Sequence, residues 1–317
     1  MTIPPQQPTH KTPLIRKTTL LLLCLLISAA LCISAAAAAG GSGTTGDPYR
    51  IETPAELQAM NTHLAAYYAM QNDIDLTGVT WTPVGNQATP FIGGLTGNNY
   101  TITGLTISRS TTDYQALFGV LGPGVVISNI YMTNCDISGK GSVGALFGRV
   151  IMASGTNTTC IITNVDISNS KITGATDYIG SLGGLSITYS NIDVSYCDME
   201  NNTIYTGGHY CGGLMGYGAY TNSQATATNC VVENCVVISG GSTCGGLMGF
   251  GAYTNSQATA SGCTVTKNTL VSTSGYTAGA FGRIYTGCAG YVDGCTFEDN
   301  TIIALAGISA GVVAAWS

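Results

Sequence analysis

The chain has 317 residues, only 8% of them charged, with ten Lys or Arg against sixteen Asp or Glu and a net charge of −6. No basic run occurs, so nucleic-acid binding has no electrostatic footing. Aliphatic residues recur throughout and Gly numbers 43, a composition that excludes disorder and fits an all-β protein rich in turns.

The first segment is a leader. Lys11, Arg16 and Lys17 form a positive start, Leu20 to Ile33 is apolar, and "SAAAAAG" supplies small residues for cleavage near Ala37 to Ala39. Residues 1–39 are therefore expected to be a signal peptide. An uncleaved membrane anchor is the alternative, because the apolar run through Ala39 is long enough to span. Neither Cys24 nor Cys32 follows the small residue that lipoprotein processing needs. Both readings take the chain out of the cytoplasm, as a secreted or cell-surface protein. Without the leader, seven basic residues face sixteen acids.

Residues 40–113 read as an N-terminal cap and first coils. "TPAELQAMNTHL" places Pro54 after Thr53 and Glu56 three residues beyond it, a capping box that opens a short helix to about Leu64. "YYAMQNDIDLTG" and "YTITGLTIS" alternate as strands. Asp73 and Asp75 fall two apart on one side of the first and are a weak Ca²⁺ candidate, since hard cations take carboxylate oxygens. The spacing of a complete Ca²⁺ loop is missing, and no other cofactor is indicated.

Residues 114–317 are built on one repeat of about 33 residues. One column reads Ile130, Val165, Cys197, Cys230, Cys263, Cys295. Two residues on it reads Met132, Ile167, Met199, Val232, Val265, Phe297. Seven residues after the first it reads Ile137, Ile172, Ile204, Val237, Leu270, Ile302. Polar residues alternate with these, and a turn is expected at Asn134, Asn169, Asn201, Asn234, Lys267 and Asp299. Each unit also holds a Gly-rich phrase such as "VGALFG" or "CGGLMG". A unit of this length cannot bury its apolar side alone. Stacking in register gives an all-β, right-handed parallel β-helix (β-solenoid) with about 33-residue rungs.

The ten cysteines beyond the leader are the next feature. Cys197, Cys230, Cys263 and Cys295 stack in one column, and Cys211 above Cys244 in another. A rung spacing of ~4.8 Å lies within the Cα range of a disulfide, but parallel stacking does not aim the two Cβ atoms together. Disulfides and a ladder of buried thiols both remain open. There is no CxxC, so zinc is not expected.

Other candidates are weaker. Asp166, Asp198, Glu200 and Glu233 make an acidic face that a polysaccharide-active enzyme would need as paired carboxylates, although solvated acids are commoner. His209 stands two residues before Cys211 with no third group to orient it. Tyr189, Tyr217, Tyr220, Phe250 and Tyr253 offer an aromatic stripe suited to sugar rings, although such residues more often pack together. Asn99, Asn157 and Asn201 begin glycosylation sequons. The apolar "TIIALAGISAGVVAAW" is read as a last rung left uncapped, open to end-to-end self-association.

Several phrases carry a resemblance. "GDPYRIETPAELQAM", "AMQNDIDLTG", "WTPVG", "PFIGGLTGNNYTITGLTI" and the "GALFG" and "GGLMG" repeats resemble those of the GLUG-repeat surface proteins of bacteria and archaea. The likeness runs from Gly46 to about Gly311. Where the family often has "DGNGHTI", this chain has "TGNNYTI". The resemblance implies a secreted or surface-displayed β-solenoid without an assigned activity. The leading expectation is a non-enzymatic structural or scaffold protein of the cell surface, envelope or matrix. An adhesin or carbohydrate-binding module, with a surface glycan or protein as partner, comes second, and a polysaccharide lyase or hydrolase third. Membrane contact is expected only through the leader.

Overall fold

Parallel pairing of each strand with its own copy one rung away organises the fold. The computed structural model describes residues 40–152, 158–186 and 189–314, besides Met1. The leader over 1–39 and the sequon at Asn157 lie outside the described residues. The strands form one 14-stranded sheet and three sheets of seven, five and five strands. Together they wind a parallel β-solenoid of about seven turns.

The apolar columns meet in register. Met132, Ile167, Met199, Val232, Val265 and Phe297 are successive strand partners. So are Ile137, Ile172, Ile204, Val237, Leu270 and Ile302. All are buried except Phe297 and Ile302, which are half-buried in the last rung. The first coils continue the same lattice: Gly94–Thr103 and Thr106–Ser108 pair with Val126–Thr133 and Asp136–Gly139, with one irregularity between Thr96 and Tyr100.

The first rung replaces its other sheets with a helix, α1, at Pro54–Ala59. The capping box forms, Thr53 Oγ1 accepting from the Glu56 amide and Glu56 Oε2 accepting from the Thr53 amide at 3.0 Å. A 3-10 turn over Met60–Thr62 ends the helical stretch two residues short of the expected Leu64. The chain must turn there, where the Ala66 amide bonds the His63 carbonyl, to enter the strand Tyr67–Met70. Leu57 and Met60 are fully buried and close the core at this end.

The circuit bends where residues take left-handed backbone. Asn134, Asn169, Asn201, Asn234, Lys267 and Asp299 all have φ between 50° and 56°, at the turn the sequence indicates. A second such column, Asn129, Asn164, Tyr196, Asn229, Gly262 and Gly294, precedes the cysteine column. Asn tolerates this conformation better than most residues.

The residue after the first of these turns points inward, as Cys135 and Cys235 in two rungs and as Ser or Asn in the others. Asn268 Oδ1 accepts from the Cys235 amide at 2.8 Å, and its Nδ2 donates to the Val232 carbonyl at 2.8 Å. Asn202 does the same for the Ser170 amide and the Ile167 carbonyl, at 2.9 and 2.7 Å. Ser190, Ser223 and Ser256 repeat the device at another corner, the Ser190 and Ser223 amides each donating to the next serine hydroxyl at 3.1 Å. These side chains satisfy backbone groups that the bend removes from the sheets.

All ten described cysteines carry free thiols, eight of them buried. The column thiols donate to carbonyls, as Cys263 Sγ does to Ala227 O at 3.4 Å. Burial raises Cys160 and Cys244 from 9.0 to about 12 and Cys135 and Cys235 to about 11. Cys230 is also raised, first by its hydrogen bond with Cys197.

Two outcomes follow from these ladders. Asn268→Ala leaves a buried amide and a buried carbonyl unpaired and should cost about 2–4 kcal/mol in chemical denaturation. Asn234→Gly, at an exposed left-handed position, should change stability by less than about 0.5 kcal/mol. The thiols set a pH dependence. Their folded pKa values lie above the unfolded ones, so stability is intact below about pH 9 and falls as pH rises from there toward 12, where the unfolded chain loses protons first. Denaturation midpoints between pH 7 and 11 check this, and of the ten described cysteines only Cys288 and Cys295 should react with a thiol reagent in native protein at pH 8.

Candidate functional site

The Gly-rich phrases place two sheets against each other. The last glycine of each phrase forms a column through Gly148, Gly184, Gly216, Gly249 and Gly282, and each lies against backbone of the preceding rung. A Cβ at Gly216 would collide with the backbone of Tyr178 and Ile179, and one at Gly249 with that of Cys211 and Gly216. Only a residue without a side chain lets the strands close this corner.

Outside the corner the following residue of each phrase points away from the core, so that Leu185, Tyr217 and Phe250 are strand partners. They meet Tyr178 and Tyr210 from the adjoining sheet. Tyr217 stacks on Phe250 at 4.7 Å and 3°, and Tyr178 on Tyr210 at 5.2 Å and 10°. The two stacks meet edge to face, with Tyr210 5.4 Å from Tyr217 and 5.5 Å from Phe250. Arg283 lies over Phe250, Tyr276 and Tyr285 at 5.2–5.8 Å. The result is a second apolar cluster outside the solenoid core. Burial pushes the Tyr217 hydroxyl far up and that of Tyr178 to about 12.

This corrects part of the aromatic stripe. Tyr217 and Phe250 are only 2% and 3% exposed, because the concave corner gives their rings more contact with each other than with water. They cannot present a face to a sugar. Tyr220 and Tyr253 stack at 5.3 Å, and Tyr253 meets Tyr285 at 4.7 Å. Tyr220 and Tyr285 remain over a third exposed. Tyr189, 40% exposed with φ 59°, stands at the corner beyond, where Asn222 and Asn255 hold the same conformation. A groove of about 640 Å³ opens there, lined by Tyr189, Asn191, Asn222, Gln224, Asn255 and Gln257 among others. The sequence reading missed these amides and the Tyr285 ring. Stepping by 32 or 33 residues from Tyr220 and Asn222 would have found them.

The carboxylates are held singly. Asp73 Oδ1 accepts from the Thr101 amide at 2.7 Å, and Asp75 Oδ1 from the Thr77 amide at 2.8 Å. The Thr77 hydroxyl and amide hold Asp75 below the usual carboxylate range. Asp166 Oδ1 accepts from the Asp198 amide one rung away at 3.1 Å. Burial raises both of those aspartates. Glu200 and Glu233 are strand partners, and Lys267 Nζ reaches Glu233 at 2.7 Å. Among the described residues no three His, Cys, Asp or Glu side chains gather to hold a metal ion. His209 is exposed while Cys211 is enclosed by the core.

Comparisons with known proteins bear on fold more than on chemistry. No family model matches the chain. A protein of Evansella cellulosilytica, provisionally named a Gly-rich membrane protein, is 40% identical over 118 residues, covering 34% of this chain. The halomucin of Haloquadratum walsbyi is 31% identical over 134 residues, covering 36% of this chain. The matched stretches span 14% and 2% of those relatives' own lengths. A crystal structure of a Bacteroides ovatus protein, provisionally named an immunoglobulin A1 protease, superposes with a TM-score of 0.68. It covers 87% of this chain and 86% of its own at 20% identity, a likeness of β-helical fold.

Proposed function

We propose that the chain is a non-catalytic structural element of a GLUG-type extracellular or cell-surface assembly. The observation that carries this reading is the engagement of candidate catalytic groups in the lattice itself. Asp166 ties its rung to the next through the Asp198 amide, Asp73 ties the first coils together through Thr101, and Glu233 is bridged by Lys267. Buried thiols with raised pKa values make poor nucleophiles. The names of the two relatives, a membrane protein and a halomucin, support a surface setting. Among the described residues no helix is long and apolar enough to cross a membrane.

The last rung supplies a means of assembly. Among the described residues Thr301–Ala304 and Gly307–Ala310 each pair on one side only, and Leu305 and Ile308 are 69% and 51% exposed. Unpaired strand edges beside apolar surface favour association. At the opposite end α1 buries Leu57 and Met60, and the contact we propose is a second copy at this apolar edge.

Labelling of intact cells with an impermeant reagent should reach the protein, and exclusive recovery from the cytoplasm would refute the surface assignment. Sedimentation should show a concentration-dependent dimer that Leu305→Lys with Ile308→Lys abolishes; a monomer at all concentrations would refute the assembly. Cleavage of any polysaccharide that is lost in Glu200→Gln with Glu233→Gln would overturn the non-catalytic reading.

A further inference from the structure

The two near-identical stretches of the chain carry more likeness than their packing requires. Between Cys211–Cys230 and Cys244–Cys263 seventeen of twenty positions are the same. The next thirteen residues of the same rungs, 231–243 and 264–276, share only Val232/Val265 and Ser239/Ser272. A copied rung drifting freely would differ all round its circuit, whereas here the identity is confined to one arc. Packing accounts for the inward Cys, Leu, Met and Ala of that arc, and close approach for its glycines. Left-handed backbone suits Asn222/Asn255 and ring stacking suits Tyr220/Tyr253, but none of these accounts for Gln224/Gln257, which lie on the outside.

The asparagines and glutamines bound the 640 Å³ groove, whose lining also includes Tyr189. Asn222 and Asn255 form one column at the corner, and Gln224 and Gln257, which are strand partners, form a second beside it. The tyrosine column of Tyr220, Tyr253 and Tyr285 stands two residues earlier in each rung. Asn222, Gln224 and Asn255 are exposed, and among the described residues their amides bond no other side chain or backbone group. Among the described residues no Asp, Glu, Lys, Arg or His lines the groove. At one end Gly287 and Ala289 occupy the two amide positions and leave it open.

We infer that this groove binds a neutral, extended polysaccharide laid along the solenoid axis, with about one sugar ring per rung. The rung rise of ~4.8 Å is close to the length of one pyranose in an extended chain, so successive sugars meet the same residues. Amides donate to and accept from hydroxyl groups, and tyrosine rings present faces to the apolar side of a sugar. The uncharged lining selects against acidic polymers, which the net charge of −6 also repels.

Affinity electrophoresis of the intact protein through native gels containing hydroxyethylcellulose, mixed-linkage β-glucan, galactomannan or polygalacturonate tests this. At least one of the three neutral polymers should retard it. Gln224→Ala with Gln257→Ala should reduce that retardation about fivefold or more, the effect of losing one or two hydrogen bonds, at unchanged melting temperature. Asn222→Gly with Asn255→Gly, which keeps the left-handed backbone, should do the same. Tyr220→Ala with Tyr253→Ala is informative only at unchanged melting temperature, and the two amide pairs decide otherwise. Failure of all three neutral polymers, retardation by polygalacturonate alone, or retardation indifferent to both amide pairs would overturn the inference.

Discussion

Hydrogen bonding between identical strands of successive rungs is the constraint on which the rest of the molecule depends. Parallel pairing fixes every residue ~4.8 Å from its own copy, so each position is chosen for what it does beside itself. Apolar residues stacked this way make a continuous core, and Asn stacked at a bend makes a chain of amides. Cys stacked in the core makes a column of thiols whose hydrogens turn to carbonyls, as Cys230 does toward Thr228 and Val194. The buried polar ladders at Asn202, Asn268 and the three serines compensate the bends that the circuit requires.

The same constraint explains the scarcity of charge. Like charges stacked at ~4.8 Å repel by about 1 kcal/mol even at the dielectric of water, and a column would repeat that at every rung. Hydroxyl and amide side chains stack without such a cost, which accounts for a surface of Ser, Thr and Asn and for charged residues amounting to only 8% of the chain. Where carboxylates do pair, at Glu200 and Glu233, Lys267 in the following rung brings its ammonium to one of them. Aromatic rings gain from the same stacking, and the outer corner accordingly collects them into a second apolar cluster.

The fold was legible because its signal is periodic: Met132 through Phe297 and Ile137 through Ile302 are spaced in the sequence as they are paired in space. The turn at Asn134 and its copies was legible for the same reason. The inward Asn202 and Asn268 were not, since an Asn beside a turn reads as surface unless its direction is known. Tyr217 and Phe250 were misread because a concave corner between two sheets buries outward residues, and only the meeting of the sheets reveals the concavity. The amides of the groove are unremarkable one at a time. They acquire meaning only when four rungs are laid side by side.

A lattice whose contacts run only between neighbours has no fixed length. Removing or copying a complete circuit at the glycine corner would rejoin every column and leave the remaining pairings intact. A single residue added inside a strand would turn that strand's whole apolar set to the wrong side. Evolution of such a chain is therefore quantised. It lengthens or shortens by whole turns, and the near-identical stretches that begin at Cys211 and Cys244 are what one such step would leave.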